Sequence, residues 1–131
     1  MRRFYPFVPF LGGLAARDLM WRGQWVPAGG LVLLDVYGQN HDALLWGDPY
    51  AFRPQRFLDR PAGRDELVPQ GGGDPAAGHR CPGEGLTVGV LEALASRLAR
   101  MEYTVPAQNL TIPVHRVPTR PRSGSQMAGV R

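Results

Sequence analysis

Proline and glycine restrict most of this chain to short elements and irregular backbone. The sequence of 131 residues contains 17 glycines and 13 prolines, a share that is typical of chains with many turns. A helical pattern survives in residues 82–101, where Leu86, Val90 and Leu94 follow one another at a spacing of four on one apolar stripe. Pro82 suits the first position of this helix, because the N–H that it lacks has no partner there. The sequence therefore predicts one long helix.

The segments before this helix read as extended chain, a hairpin and a meander. Residues 1–16 are aromatic and broken by prolines, which indicates an extended segment packed against an apolar surface. Residues 18–21 and 31–37 are predicted to form two strands of a hairpin, with the intervening PAGG sequence as its turn. The stretch 38–75 is rich in Asp, Pro, Arg and Gly and reads as a long meander, with a short helical turn in NHDALLWGDPYAF.

The segment after the helix is expected to form short strands. Prolines recur beyond Tyr103 and exclude a second long helix, so edge strands and turns are favoured there. The final RSGSQMAGVR sequence reads as a hairpin arm. Neither internal repeats nor a clear domain boundary emerge from the sequence.

Composition and charge argue against several classes of function and location. The net charge is +4 and the isoelectric point is about 10, but the arginines are scattered among prolines rather than grouped in a basic run, which argues against nucleic-acid binding. No apolar run approaches the ~20 residues needed to span a bilayer. Two prolines interrupt the apolar N-terminus, which argues against an export signal. The single cysteine favours a reducing compartment or a thiol kept for chemistry, and we expect a soluble, cytoplasmic protein.

That cysteine, Cys81, directly precedes the predicted helix in GGGDPAAGHRCPGEGL. A thiolate there meets the free N–H groups and the positive end of the helix dipole, and His79 and Arg80 add positive charge. The residue chemistry leaves several readings open: a small apolar residue that caps a helix, a nucleophile paired with His79, a zinc ligand, or the one proximal ligand that a haem iron needs.

Four motifs in order resemble the cytochrome P450 family. GHRCPGEGL resembles its cysteine-ligand loop, FRPQRF at 52–57 its meander signature, WVPAGGLV its preceding hairpin, and NHD at 40–42 its Asn-Arg-Asp sequence. The resemblance implies an α+β chain that forms the C-terminal portion of a mostly helical fold and binds haem b. Its expected parts are the extended segment and hairpin (1–37), the meander (38–75), the cysteine-ligand loop and helix (76–101) and the C-terminal strands (102–131).

A departure from the family pattern points to one branch. Gln70 and a longer insert stand where the family usually begins the cysteine loop with phenylalanine, which resembles the bacterial fatty-acid peroxygenases. This branch implies hydroxylation at the α or β carbon of long-chain fatty acids, or their decarboxylation, with hydrogen peroxide and no reductase. An arginine on a long distal helix would hold the substrate carboxylate as the acid–base group. The alternatives are a reductase-dependent monooxygenase and a non-enzymatic truncated product in which Cys81 is ordinary core.

The resemblance also assigns roles to residues. Cys81 would be the axial ligand of the haem iron and donate electron density for O–O cleavage, and His79 would pair with a haem propionate. The other implied contacts are Gln70 and Gly71 at the haem edge, Pro82 and Gly83 where the helix start approaches the porphyrin, and Phe7 in the fatty-acid pocket. His41 and His115 read as surface or capping residues.

Arg3 and Arg56 are predicted to be structural. Arg3 fits the arginine of the family's Glu-x-x-Arg pair and Arg56 its meander partner, but the glutamate would fall one position before Met1. The distal helix also has no counterpart in the sequence. We therefore expect an incomplete chain, in which two like charges are brought close without their carboxylate, and which is unstable by itself.

Overall fold

A computed structural model describes residues 1–5, 7–63 and 65–131. Its elements, in chain order, are β1 (Leu11–Leu14), β2 (Leu19–Trp21), β3 (Gln24–Val26), β4 (Leu31–Leu34), α1 (Val36–Asn40), α2 (Ala43–Trp46), α3 (Arg56–Asp59) and α4 (Glu84–Leu98). This mixture of short strands and helices confirms the predicted α+β class. No helix in the described part of the chain has the length and apolar character needed to cross a membrane.

The strands pair differently from the predicted hairpin. β2 pairs with β3 across a turn at Arg22 and Gly23, which have φ angles of 46° and 79°, and β1 pairs with β4, with Leu11 opposite Leu34. Both pairs are antiparallel. The prediction that 18–21 pairs with 31–37 is therefore wrong. The PAGG sequence does form a turn, closed by a 2.9 Å hydrogen bond from Gly30 N to Pro27 O. This turn connects β3 to β4, and β4 pairs with β1.

The predicted second strand is also shorter than 31–37, because Asp35 starts a helix. The Asp35 carboxylate accepts a 2.7 Å hydrogen bond from Gly38 N and caps α1. Asp42 caps α2 in the same way, through a 2.8 Å bond from Leu44 N. α2 confirms the short helical turn predicted in NHDALLWGDPYAF, whereas the sequence analysis missed α1 and α3.

The best-buried part of the chain lies around α1 and α2. Val36 and Trp46 are buried there, together with the polar residues Asn40 and His41. The Trp46 ring packs edge-on against Phe57 at 5.9 Å, and its Nε1–H donates to Gln39 O at 3.1 Å. This small cluster holds the meander against the N-terminal segment.

The long helix and the C-terminal segment flank the cysteine loop. α4 occupies Glu84–Leu98 and confirms the predicted long helix, although its apolar residues Leu86 and Leu94 are exposed. The strands expected in 102–131 are shorter than predicted: in the described residues they amount to an isolated antiparallel bridge between Thr104 and Ala128. Prolines remove ladder donors in this segment, and side-chain bonds such as Gln126 N to Gln108 Oε1 (3.0 Å) replace part of the ladder.

Candidate functional site

Backbone hydrogen bonds fold the cysteine loop against the end of the meander. Cys81 N donates to Gln70 O at 2.9 Å, and His79 N donates to Gly72 O at 3.2 Å. The Arg80 side chain adds a 3.1 Å bond from Nε to Gly73 O. The start and the end of the loop between Gln70 and Cys81 are therefore held side by side, which fixes where Cys81 stands relative to the preceding chain.

Gly71 makes this close packing possible. It is buried and has a φ of 91°, in the left-handed region that disfavours other residues. A Cβ at this position would lie 2.0 Å from the carbonyl oxygen of His79. Any side chain here would therefore force the two segments of the loop apart.

Cys81 stands at the start of α4 with a free, exposed thiol. Its carbonyl accepts a 3.2 Å hydrogen bond from Glu84 N, which closes the turn into the helix. A Cβ on Gly83 would lie 3.6 Å from the cysteine Sγ, so Gly83 runs directly beside the sulfur. The thiol therefore stands beside the first backbone N–H groups of the helix.

Two arginines share one carboxylate in the first turn of α4. Arg2 and Arg80 both form salt bridges with Glu84, the latter at 2.8 Å between Nη1 and Oε2. Burial acts to raise the pKa of Glu84, but the hydrogen bonds and charges of both arginines outweigh it and hold the pKa below its ordinary value. Glu84 is thus ionised at neutral pH and ties the N-terminal segment to the cysteine loop.

A cavity of about 1190 Å³ opens in front of Cys81. Its wall includes the apolar side chains Phe7, Val8, Leu11, Leu110 and Ile112, together with the polar or charged residues Arg2, Gln70, His79, Arg80 and Thr87. The N-terminal segment, the cysteine loop, α4 and the C-terminal segment therefore all contribute to one space. A largely apolar cavity with one thiol and several basic side chains suits a large, flat, partly anionic ligand.

Arg3 and Arg56 form a separate cationic site. Arg3 is buried and donates to the carbonyl oxygens of Asn40 at 2.6 Å and Pro49 at 2.8 Å, and Arg56 donates to Trp46 O at 2.6 Å. Burial, and secondarily the charge of Arg56, lowers the pKa of Arg3. In the described part of the chain, Asn40 Nδ2 is a buried donor without a partner. The two arginines are thus close enough for the charge of Arg56 to act on Arg3.

Similarity to known proteins identifies the family of this chain. The chain matches the model of the cytochrome P450 family over residues 1–108. It belongs to the cytochrome P450 family. Among curated proteins it is 37% identical over 108 residues to cytochrome P450 1A1 of Oryctolagus cuniculus, which covers 79% of this chain and 20% of that protein. It is 34% identical over 111 residues to cytochrome P450 71A8 of Mentha piperita, covering 79% of this chain and 21% of that protein.

Two solved P450 structures match almost the whole chain. Cytochrome P450SP alpha in complex with (R)-ibuprophen superposes with a TM-score of 0.89 at 45% identity, over 99% of this chain and 32% of that one. A variant of cytochrome P450 OleT in complex with arachidonic acid gives a TM-score of 0.85 at 44% identity, over 99% of this chain and 31% of that one. The chain thus spans about a fifth of the curated relatives and about a third of these structures.

The cofactor of cytochrome P450 proteins is haem b, held by a cysteine thiolate, and the residues of this chain fit it. Cys81 offers an exposed thiol at a helix start, on the wall of a cavity that is mostly apolar. Gly83 leaves the backbone beside the sulfur bare, so a flat ring can approach it. His79, Arg80 and Arg2 line the same cavity and offer basic groups for carboxylates at the ring's edge.

The structure brings most of the predicted site residues together. Cys81, Pro82, His79, Gln70 and Phe7 line the cavity, and Gly71 and Gly83 lie in its supporting loop. Their individual contacts with haem or substrate stay predictions. Arg3 and Arg56 do not line this cavity, and their structural role stays a prediction.

Sequence reasoning missed several residues of this region. They are Arg2, Glu84 and Thr87 in the cysteine loop's hydrogen-bond network. Of the two alternatives given for His41, surface or capping residue, the structure supports capping, since His41 is buried as the C-cap of α1. For Glu84, an acidic residue in the first turn of the predicted helix was a usable signal. For Arg2 no local signal exists, because its partners lie 68 and 82 positions away.

Proposed function

We propose that this chain supplies the thiolate-bearing part of a P450 that oxidises long-chain fatty acids with hydrogen peroxide. The observation that carries the proposal is the free thiol of Cys81 at the start of α4, exposed on the wall of a large apolar cavity. The reading of Cys81 as ordinary core does not fit this exposure. A cytoplasmic location stays a prediction from the single cysteine.

In this proposal the Cys81 thiol would hold the haem iron. When bound, haem supplies the cleavage of the O–O bond and the transfer of oxygen, assisted by electron density from the thiolate. The hydrogen bonds of the Cys81 backbone to Gln70 and Glu84 fix the direction of the thiol at the start of α4. His79, on the cavity wall, pairs with a haem propionate by a charge-assisted hydrogen bond.

The apolar side of the cavity is proposed to receive the fatty acid. Phe7, Val8 and Leu11 come from the N-terminal segment and Leu110 and Ile112 from the C-terminal one. The similar cytochrome P450 OleT was solved with arachidonic acid, a long-chain fatty acid. Apolar walls of this kind hold an alkyl chain by excluding water from it.

Peroxide is proposed as the oxidant because this chain resembles the peroxygenase branch of the P450 family, and not because of its membership of the family as a whole. The Gln70 loop resembles that of the peroxygenases, and the solved structures of cytochrome P450SP alpha and OleT are 44–45% identical to this chain. The second candidate is a reductase-dependent monooxygenase. It is favoured by the similarity to other P450 proteins, such as the 1A1 protein at 37% identity.

The ligand assignment is tested in the haem-loaded full-length protein. We expect the reduced carbon-monoxide complex to show the red-shifted Soret band of thiolate ligation, and Cys81→Ser to abolish this band, because a serine hydroxyl does not replace the thiolate. His115→Ala, at an exposed position, serves as the control and should keep the band. Persistence of the band in Cys81→Ser would show that another residue binds the iron.

The oxidant is tested by product analysis with the same protein. With hydrogen peroxide and a long-chain fatty acid alone, we expect α- or β-hydroxylated acid or a terminal alkene. Addition of a reductase and a nicotinamide cofactor in place of peroxide should give no such product. Turnover that strictly requires the reductase would favour the monooxygenase candidate.

A further inference from the structure

Gln70 is the point at which three parts of the cavity wall meet. Its backbone carbonyl accepts the 2.9 Å hydrogen bond from Cys81 N. Its side-chain Oε1 accepts a 3.0 Å bond from Arg2 Nη1, and its Nε2 donates to Thr87 Oγ1 at 3.1 Å. Both ends of the amide are therefore engaged by protein partners, one on the N-terminal segment and one on α4.

The Thr87 bond continues to the backbone beside the sulfur. Thr87 Oγ1 also donates to Gly83 O at 3.1 Å, and a Cβ on Gly83 would lie 3.6 Å from Cys81 Sγ. Gln70 thus holds both ends of the Cys81–Gly83 turn. Its backbone carbonyl binds Cys81 N, and its side chain binds Thr87, which in turn donates to Gly83 O. An apolar residue of the same length would keep the first bond and lose the second.

The hydrogen bond between Gln70 and Arg2 helps to fix the position of a positive charge. Arg2 divides its Nη1 between Gln70 and Glu84, while Arg80 takes the other oxygen of Glu84. Arg2 and Cys81 line the same cavity. Without the Gln70 amide, this guanidinium keeps only its salt bridge to Glu84, so its position relative to the sulfur is less firmly fixed.

We propose that Gln70 is a positioning residue for the Cys81 thiolate, which sets the sulfur's exposure and electrostatic surroundings through Thr87 and Arg2. This inference rests on the proposed function, since it takes Cys81 as the iron ligand. Partners that surround a ligand in this way tune its electronic properties, and exposure of the sulfur to water raises the reduction potential of the metal.

The test replaces Gln70 by methionine in the haem-loaded full-length protein. Gln70→Met keeps the chain length and the backbone bond to Cys81 but removes both amide bonds. We expect a more positive reduction potential, about 10-fold weaker haem binding and loss of the thiolate-type carbon-monoxide Soret band at a lower temperature. Gln55→Met is the matched control, because Gln55 is exposed and makes no capping bond, and it should leave the potential unchanged.

Variants of Thr87 separate positioning from general stability. Thr87→Val removes the hydroxyl and should shift the reduction potential in the same direction as Gln70→Met. Thr87→Ser keeps the hydroxyl and should leave the potential at the wild-type value. The double variant Gln70→Met/Thr87→Val should shift the potential less than the sum of the two single variants. A potential that stays at the wild-type value in Gln70→Met and Thr87→Val, even with a lower unfolding temperature, would overturn the inference. Absence of the thiolate band in the wild-type protein would instead refute the proposed function.

Discussion

Gly71 lies where the backbone of the cysteine loop passes closest to itself. Gly71 is the first of three successive glycines, and the sequence alone does not rank them. In the structure, a Cβ on Gly72 makes only ordinary contacts of 3.7 Å or more, whereas one on Gly71 lies 2.0 Å from a carbonyl oxygen. The difference depends on His79, eight positions along the chain, so local sequence could not reveal it.

We predict that Gly71→Ala disrupts the haem site. The new methyl group meets His79 O and the left-handed backbone adds strain of ~1–3 kcal/mol. Haem titration of the full-length variant should show loss of the thiolate-type Soret band. Gly85→Ala is the control, because a Cβ there meets nothing within 4 Å in the described chain, and it should raise the free energy of unfolding by up to ~1 kcal/mol. An intact band in Gly71→Ala would show that the loop relaxes without moving Cys81.

The helices and strands differ in how far the sequence determined them. α4 was predictable because its apolar residues keep one period over four turns. The pairing of β1 with β4 was not, since β1 reads Leu-Gly-Gly-Leu and has little strand propensity of its own. Turn residues occur both at Arg22-Gly23 and in PAGG, and only the pairing of the distant β1 decides which turn closes the hairpin.

The end of α1 shows a similar limit of sequence reasoning. His41 caps α1, and its Nδ1 lies 2.9 Å from Tyr37 O. Its ring stacks on Tyr37 at 4.1 Å and on Tyr50 at 5.3 Å. The sequence left His41 open as a surface or a capping residue. The structure shows the capping role together with a buried ring, which is contacted by the rings of Phe4, Tyr37 and Tyr50. Burial first, and the charge of Arg3 in addition, lower the pKa of His41, against the opposing effect of its bond to Tyr37 O.

This pKa predicts a dependence of stability on pH. The unfolded chain takes up a proton at the ordinary histidine pKa of 6.5 and the folded chain at a lower pKa. The stability is therefore fully present above pH 6.5 and is lost as the pH falls below it. Denaturant unfolding of the full-length protein between pH 7.5 and about 5 should show this slope, and His41→Phe, which keeps an aromatic ring, should flatten it. His115→Phe is the control at an exposed position; a slope unchanged by His41→Phe would assign it to another group.

Across the described chain, many large apolar side chains are exposed to solvent. The composition is 44% hydrophobic, yet the buried apolar residues of the described chain are Ala15, Val36 and Trp46. Leu86 of α4 and Leu31 of β4 are 77% and 68% exposed. Large exposed apolar patches are typical of a face that packs against further protein. The sequence motifs indicated this outcome, because they matched only the C-terminal part of the P450 pattern.

The last prediction concerns residues 1–131 as an isolated chain. They match 32% of the solved cytochrome P450SP alpha chain, and Phe7 and Leu110 on the cavity wall are 67% and 53% exposed. Cys81 is available to bind haem, but an exposed wall does not hold a fatty acid in one orientation, and positioning accounts for ~7–11 kcal/mol of a barrier. Mixed with haem, peroxide and a long-chain fatty acid, the chain should give no regioselective α or β product, as judged by mass spectrometry against free haem and against intact cytochrome P450SP alpha. Selective product well above the free-haem rate would mean that this segment builds a working pocket unaided.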